Sequence, residues 1–230
     1  MIQDVDSMKL FCFPWSGGNS EFYFRYSGIL GSDFEIIPIS PLFDDETPFS
    51  EVIASLKKEI LNMTEKNEKF ILLGHSMGAV LAYETARVLS MDSRICGVVI
   101  SGMLPPSAEI FAKLDSELDR EKAKKYSAEL GMAMLSMLPD RYLDMITEKM
   151  NHDNLLLKRY ESCCNEKFSM PSAVIYSEQE QEQGDISEWK PLFTGDTEYI
   201  MTNGNHFYLI NDFSPVKNAV LDIRRKLSEI

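Results

Sequence analysis

The stretch that decides the fold reads Phe70-Ile71-Leu72-Leu73-Gly74-His75-Ser76-Met77-Gly78-Ala79. Its first four residues are apolar and predict a buried strand, and the good helix formers that follow predict a helix over 79–89. Between them, residues 74–78 match the pattern GxSxG, and a nucleophile elbow requires this context of strand, tight turn and helix. The turn leaves no room for side chains at Gly74 and Gly78, so the Ser76 hydroxyl is predicted to stand clear of the sheet.

The segments on both sides of this stretch alternate between predicted strands and helices. Further strands are predicted at 9–14, 34–39, 95–100, 173–176 and 199–201, and further helices at 20–30, 50–63 and 215–227. This alternation is typical of an α/β protein with a mostly parallel sheet and helices on both faces. Over 105–168 only helices are expected, broken at Gly131 and Pro139. We interpret this block as a helical lid insertion within a single domain spanning 1–230.

Composition and charge exclude several classes of protein. The 230 residues carry 23 Lys and Arg against 36 Asp and Glu, a formal net charge of −13, which disfavours nucleic acid as a partner. No apolar run approaches the about 18 residues that span a bilayer. Residues 1–6 are acidic where a signal peptide needs Lys or Arg, so a cytoplasmic protein without membrane contact is expected.

The four cysteines do not indicate a metal site. Cys12 and Cys96 lie in strand-like runs, Cys163 and Cys164 are adjacent, and none belongs to a CxxC pair. We therefore expect four reduced, structural cysteines, no metal and no cofactor.

A serine hydroxyl needs a base, and the chain has three histidines. His75 lies inside the elbow, where its side chain should point away from the Ser76 hydroxyl, and His152 lies in the helical block. His206 follows the last predicted strand in the tight loop Asn203-Gly204-Asn205-His206-Phe207. The chain order serine, acid, histidine places the base last, so His206 is the predicted base.

The acid is expected after the strand at 173–176, and the choice among four carboxylates stays open. The candidates are Glu178, Glu180, Glu182 and Asp185. A carboxylate three or four residues past the strand can turn inward over the sheet edge, which favours Glu180. Asp185 follows Gly184, which is typical of a turn, and it is the alternative acid. For the oxyanion hole we predict the backbone N–H of Met77 and that of Ser16, in the glycine loop after the first strand.

Three motifs resemble those of the type II thioesterases, over essentially the whole chain. They are Phe13-Pro14-Trp15-Ser16-Gly17-Gly18, Gly74-His75-Ser76-Met77-Gly78-Ala79 and His206-Phe207-Tyr208-Leu209. The resemblance implies an α/β-hydrolase fold with a helical lid. It also implies hydrolysis of acyl thioesters on the phosphopantetheine arm of carrier proteins, for editing or release in polyketide or nonribosomal peptide biosynthesis.

The chain departs from the family pattern at three places. Residues 39–45 replace a Pro-Gly-Arg stretch, and Gly204-Asn205-His206 replaces Gly-Gly-His. Aligning the family's Gly-x-x-Asp stretch places Ser177 at the glycine and Glu180 at the aspartate, so the resemblance also selects Glu180 as the acid.

The implied partner is an acyl or peptidyl carrier protein, bound transiently by a monomer. Since both proteins are acidic, docking would need a local basic patch. The lid offers Lys122, Lys124, Lys125, Lys158 and Arg159. Its flexible methionines are candidates for acyl contacts: Met132, Met134, Met137, Met145 and Met150. The alternatives are an acyltransferase or a small-molecule esterase with the same triad, and a catalytically silent binding protein.

Overall fold

A six-stranded sheet lies at the centre of the structure, a computed structural model that describes residues 7–227. The strands are β1 (Met8–Phe13), β2 (Phe34–Pro38), β3 (Phe70–His75), β4 (Ile95–Ser101), β5 (Ser172–Ser177) and β6 (Thr197–Thr202). Their order across the sheet is β2-β1-β3-β4-β5-β6, and each neighbouring pair is parallel. The predicted mostly parallel sheet is confirmed, and β3, which leads into the elbow, lies near its middle.

Helices fill the connections between the strands. The α-helices are α1 (Ser27–Leu30), α2 (Phe49–Asn62), α3 (Met77–Val88), α4 (Ala108–Phe111), α5 (Arg120–Glu129), α6 (Asp140–Lys158), α7 (Glu178–Gln183), α8 (Tyr208–Asn211) and α9 (Ser214–Leu227). Short 3-10 helices cover Ser20–Tyr26, Gly31–Asp33, Ala133–Met137 and Ile186–Leu192. The predicted helix at 20–30 is therefore mostly 3-10, and α3 begins two residues earlier than predicted, directly after Ser76.

Both faces of the sheet are buried, which explains the continuous apolar runs of its strands. Successive side chains point to opposite faces, so Leu72 of β3 packs with α2 and α3, whereas Leu73 packs with the 3-10 helix Ser20–Tyr26 and α9. The strands therefore contribute to two hydrophobic cores, one on each face of the sheet. The loops at the carboxyl ends of the strands contain the predicted site residues.

The helical block predicted over 105–168 lies between β4 and β5, with no strand in the described residues there. It contains α4, α5, the 3-10 helix Ala133–Met137 and α6, and it breaks at Gly131 and Pro139 as predicted. Gly131 has a φ of 97°, and a Cβ there would collide with the Asn205 side chain. The block, called the lid below, therefore packs closely on the loop that precedes His206. Its place within a single domain over 1–230 stays a prediction.

A buried carboxylate joins the last residues of the lid to α3. Glu84 of α3 is fully buried and accepts hydrogen bonds from Arg87 Nη1 (3.0 Å to each oxygen), the Tyr160 hydroxyl (2.8 Å) and the Cys163 N–H (3.2 Å). Arg87 also donates to the carbonyl oxygens of Glu166 and Cys164. This network joins α3 to the chain that returns from α6.

The structure also bears on the predicted reduced cysteines and on the expected lack of a membrane span. All four cysteines are free, and burial raises the pKa of the Cys96 thiol to about 11 and that of Cys12 well above its ordinary value. Within 7–227, no helix has the length and hydropathy to cross a bilayer. The acidic stretch 1–6 lies outside the described residues, and the cytoplasmic location stays a prediction.

Candidate active site

The elbow at Ser76 has the backbone strain that its motif predicts. Ser76 has φ 56° and ψ −121°, and within the described part of the chain it is the one residue other than glycine with positive φ. Such a conformation costs about 1–3 kcal/mol and persists where the surroundings impose it. A Cβ at Gly74 would collide with the Gly78 carbonyl, and a Cβ at Gly78 with the carbonyl of Phe13. The two glycines are therefore required by the close approach of the turn to itself and to β1.

Glu180 and His206 form a buried hydrogen-bonded pair. The His206 Nδ1 lies 2.7 Å from Glu180 Oε1, and the two side chains are largely shielded from solvent. The Ser177 N–H (2.7 Å) and hydroxyl (2.6 Å) both donate to Glu180 Oε2. The bond from the Ser177 N–H is one half of a capping box between Ser177 and Glu180 at the start of α7. Burial alone would raise the pKa of this carboxyl, but the His206 hydrogen bond and charge, with the Ser177 donors, lower the pKa below its ordinary value.

The other carboxylates of this segment point elsewhere. Asp185 is exposed, and its side chain accepts the Ser187 N–H (2.8 Å) at the start of the 3-10 helix Ile186–Leu192. The hydrogen bonds from Ser187 lower its pKa. Glu178 and Glu182 are also exposed. Of the four candidate acids, only Glu180 contacts His206.

The second nitrogen of His206, Nε2, has no hydrogen-bond partner in the described residues. It is buried, and His206 lines the same cavity as Ser76. Because Nδ1 is hydrogen-bonded to Glu180, Nε2 is the ring nitrogen that can accept or donate a proton in a reaction.

His75 belongs to a separate buried network. Its Nδ1 lies 2.9 Å from Ser101 Oγ, whose hydroxyl lies 2.5 Å from that of Tyr208. Burial, and then the charge of His206, lower the pKa of His75 well below its ordinary value, so this ring is neutral. The third histidine, His152, is half-buried and stacks on Phe43 with ring centroids 4.2 Å apart.

The loop after β1 carries the second predicted oxyanion donor. It is a tight turn in which the Gly18 N–H donates to the Trp15 carbonyl (2.8 Å), and Gly17 has a φ of 75°. Within the described ranges, the N–H groups of Ser16 and Met77 donate to no protein atom. Two backbone donors are therefore left unused, one directly after Ser76 and one in the loop after β1, as an oxyanion hole requires.

Three lid-side contacts were not predicted. The Gly17 N–H donates to Asp153 Oδ2 (2.8 Å), and the Ser16 hydroxyl donates to Asn154 Oδ1 (3.0 Å). Gln179 bridges the lid to the base, since its Nε2 donates to the Glu129 carbonyl (2.9 Å) and its Oε1 accepts the His206 N–H (2.9 Å). Polar residues in charged helical segments are typical of a solvated surface, so no sequence signal indicates these contacts.

A cavity of about 290 Å³ joins Ser76 and His206 to the lid. Its wall is mostly apolar and is formed by Trp15, Ser16, Gly17, Gly18, Asn19, Phe22, Ser76, Tyr126, Ser127, Leu130, Met132, Leu135, Ile146, Met150, His206 and Phe207. Met132 and Met150 are the two lid methionines in this wall. Met134, Met137 and Met145 are exposed instead, so the hypothesis that all five surround an acyl group is wrong for these three.

The lysines proposed as a docking patch are mostly compensated by acids. Lys122 pairs with Asp115 (3.0 Å), Lys124 with Glu121 (2.8 Å) and Lys125 with Glu129 (3.9 Å). A larger, open cavity of about 950 Å³ on the outer side of α5 and α6 contains neither Ser76 nor His206. Lys158 donates to the Ser116 hydroxyl (3.3 Å), and neither Lys158 nor Arg159 forms an ion pair among residues 7–227, so three of the five predicted docking cations are compensated and two are not.

Comparison with known proteins gives a consistent result. The family model described as "Thioesterase domain" matches residues 8–227. Thioesterase PikA5 of Streptomyces venezuelae is 23% identical over 229 residues, covering 94% of this chain and 80% of that protein. The medium-chain S-acyl fatty acid synthase thioesterase of Anas platyrhynchos is 27% identical over 217 residues, covering 88% and 85%. The crystal structure of ClbQ from the colibactin NRPS/PKS pathway has a TM-score of 0.80 at 18% identity, covering 96% and 98%.

Proposed function

Because the chain belongs to the thioesterase domain family, a family of hydrolases acting on thioesters, we propose that it cleaves acyl thioesters on the phosphopantetheine arm of a carrier protein. The observation that carries the proposal is the shared cavity, in which a strained serine, a carboxylate-paired histidine and an apolar wall meet. In this proposal the apolar wall binds the acyl chain, and the serine and histidine react with the thioester.

In the proposed mechanism, Ser76 is the nucleophile. His206 Nε2 takes the proton from the Ser76 hydroxyl as its oxygen attacks the thioester carbonyl carbon. Glu180 accepts the Nδ1–H bond, fixes the tautomer and stabilises the imidazolium that forms. The N–H groups of Met77 and Ser16 stabilise the negative carbonyl oxygen of the tetrahedral intermediate.

The intermediate collapses to an acyl-enzyme. The C–S bond breaks, and the thiolate of the pantetheine arm leaves with the proton held by His206. Water then attacks the Ser76 ester and gives its proton to the same nitrogen, and a second collapse releases the free acid and restores the serine. The overall reaction consumes one water and yields the acid and the free carrier thiol.

The proposed biological role is removal of acyl units from carriers in polyketide or nonribosomal peptide biosynthesis. It is supported by the similarity to PikA5 and to ClbQ, whose structure is described as belonging to an NRPS/PKS pathway. Since the chain carries a net charge of −13 and three of the five predicted docking cations are paired with acids, we expect weak and transient docking of an acidic carrier.

The test is to incubate the protein with an acyl-loaded carrier and to follow the pantetheine arm by mass spectrometry. We expect free acid and unloaded carrier. Transfer of the acyl group to an added alcohol or amine would instead identify an acyltransferase. Cleavage of simple esters with the carrier left loaded would identify an esterase, and binding without turnover a silent binding protein.

A further inference from the structure

Helix α6 of the lid is hydrogen-bonded to the loop that carries the proposed oxyanion donor Ser16. The Gly17 N–H donates to Asp153 Oδ2 (2.8 Å), and the Ser16 hydroxyl donates to Asn154 Oδ1 (3.0 Å). Asp153 is 1% exposed and Asn154 5% exposed, so both contacts are made by buried side chains. These two bonds fasten the Ser16 side chain and the amide that follows it.

Both lid side chains are themselves held in place. Lys149 Nζ lies 2.8 Å from Asp153 Oδ2, one turn earlier on the same helix, and Asn154 Nδ2 donates to the Asp115 carbonyl (2.8 Å). A buried carboxylate is costly unless it is paired and hydrogen-bonded, and Lys149 and the Gly17 N–H together meet this need. The anchor is therefore rigid on the lid side.

The loop side needs such an anchor. Gly17 has a φ of 75°, and glycine gives a loop access to many backbone conformations. An oxyanion donor must lie about 2.7–3.1 Å from the developing charge to be effective. The Ser16 N–H lies in the Trp15–Ser16 peptide, which joins the anchored Ser16–Gly17 peptide at the Ser16 Cα. Release of the Gly17 N–H and of the Ser16 hydroxyl would therefore let the Ser16 backbone rotate and misdirect the Ser16 N–H.

We propose that Asp153 and Asn154 are positioning residues that hold the Ser16 N–H in the oxyanion hole. This inference rests on the proposed function. It makes the lid part of the catalytic apparatus, because displacement of α6 would release the Gly17 N–H and the Ser16 hydroxyl together. Hydrolysis of even the shortest acyl group then depends on α6, independently of the acyl wall.

The test compares Asp153→Ala, which removes the acceptor, with Asp153→Asn, which keeps an acceptor oxygen for Gly17. Two control variants lie on the same helix. Thr147→Val changes a buried hydroxyl that has no partner within 7–227, and Leu156→Ala destabilises the core away from the loop. Turnover of p-nitrophenyl acetate and of acetyl-pantetheine gives kcat and KM separately. Affinities are measured for an alkyl boronic acid, whose adduct with Ser76 is a tetrahedral anion, and for a non-cleavable thioether analogue.

We expect Asp153→Ala to lower kcat about 10- to 100-fold, with KM and thioether affinity unchanged and boronic acid affinity lowered by a similar factor. Asp153→Asn should retain most of the kcat. Thr147→Val should match the wild type, and Leu156→Ala should lower Tm without changing kcat of the folded protein. Unchanged kcat in Asp153→Ala, or equal losses of boronic acid and thioether binding, would overturn the proposal.

A second variant decides the matter if Asp153→Ala does not fold. Ser16→Ala removes the hydroxyl bonded to Asn154 but keeps the backbone N–H. It should lower kcat, by a smaller factor than Asp153→Ala. A wild-type kcat in Ser16→Ala would then contradict the proposal. If the wild type cleaves the ester but leaves carrier thioesters intact, the proposed function fails, while the positioning role is still decided on the ester.

Discussion

His206 Nδ1 lies 2.7 Å from Glu180 Oε1, and the same carboxylate caps α7 through Ser177. One side chain thus both orients the proposed base and starts the helix that follows β5. A glutamate works here because the capping box fixes its longer side chain, whose second oxygen accepts two Ser177 donors.

Replacing this acid should impair catalysis without unfolding the protein. We expect Glu180→Gln to lower kcat by about 10²–10⁴. The amide oxygen should stay with the two Ser177 donors, so the NH2 group would face His206 Nδ1 and favour the wrong tautomer, and the imidazolium would lose its counter-charge. Asp185→Asn is the matched control and should retain wild-type kcat, since Asp185 caps another helix. Steady-state thioester hydrolysis of both variants decides between them. A crippled Asp185→Asn with a normal Glu180→Gln would transfer the role to Asp185.

The buried His75 should make stability depend on pH. Its folded pKa lies well below 6.5, so the unfolded chain binds a proton that the folded protein does not as pH falls through about 6.5. Stability is therefore full above that pH, and about 1.4 kcal/mol is lost between pH 7.5 and 5.5. The folded pKa of Glu180 is also lowered, from an ordinary value of 4.5. The stability that this carboxylate contributes is therefore lost only at pH values below this range.

The measurement is urea unfolding of the wild type and His75→Gln at these two pH values. The variant should lose most of this pH dependence, whereas His152→Gln, at a half-buried site, should keep it. Identical pH dependence in the wild type and His75→Gln would contradict the assignment.

Narrowing the cavity should change acyl-chain preference. Leu135 lies in the cavity wall, whereas the neighbouring Met134 is 64% exposed and outside it. Leu135→Trp should lower kcat/KM for octanoyl-pantetheine about tenfold or more relative to acetyl-pantetheine. A single methylene in a hydrophobic pocket already changes the kcat/KM ratio of two substrates about 10-fold or more. Met134→Trp is the control and should leave the ratio unchanged. Equal losses on both substrates in Leu135→Trp would show that the acyl chain lies elsewhere.

The Glu84 network should contribute strongly to stability where the end of the lid packs on α3. Glu84→Gln leaves the Arg87 guanidinium partly buried without its counter-charge, a change that costs about 3–5 kcal/mol. The exposed pair Lys113–Glu109 is the control, and Glu109→Gln should change stability by less than about 0.5 kcal/mol. Urea unfolding of both variants provides the comparison, and equal effects would show that the buried network is not important for stability.

Docking of an acidic carrier should not weaken in salt. Because the enzyme carries a net charge of −13 and three of the five predicted docking cations are paired with acids, we expect screening to remove more repulsion than attraction. We expect kcat/KM on an acyl carrier to stay level or rise between 50 and 300 mM salt, concentrations chosen to shorten the screening length from about 14 Å to about 6 Å. A steep fall over this range would reveal a basic docking surface.

The sheet, the elbow and the Glu180–His206 contact could be predicted because each is encoded locally. Residues 70–79 contain strand, turn and helix in one run, and the alternation of strands with helices predicts a parallel sheet. Among four nearby carboxylates, residue position and family resemblance indicated the one that contacts His206.

The lid contacts could not be predicted, because they join residues far apart in the chain. Asp153 meets Gly17 across 136 positions, and nothing in a charged helical segment distinguishes a buried aspartate from a solvated one. The five lid methionines show the same limit. Their spacing did not reveal that only Met132 and Met150 face the cavity, since the short 3-10 helix Ala133–Met137 breaks the helical period.

The central claim, that Ser76 forms the acyl-enzyme, is tested most directly by hydrolysis of an acyl-loaded carrier by folded Ser76→Ala. Loss of the nucleophile should lower kcat by about 10⁴–10⁶, with the circular dichroism spectrum and Tm of the wild type retained. In the wild type, rapid quenching and intact-mass analysis should show the acyl group on the peptide containing Ser76. Turnover by folded Ser76→Ala at the wild-type rate would contradict the covalent mechanism.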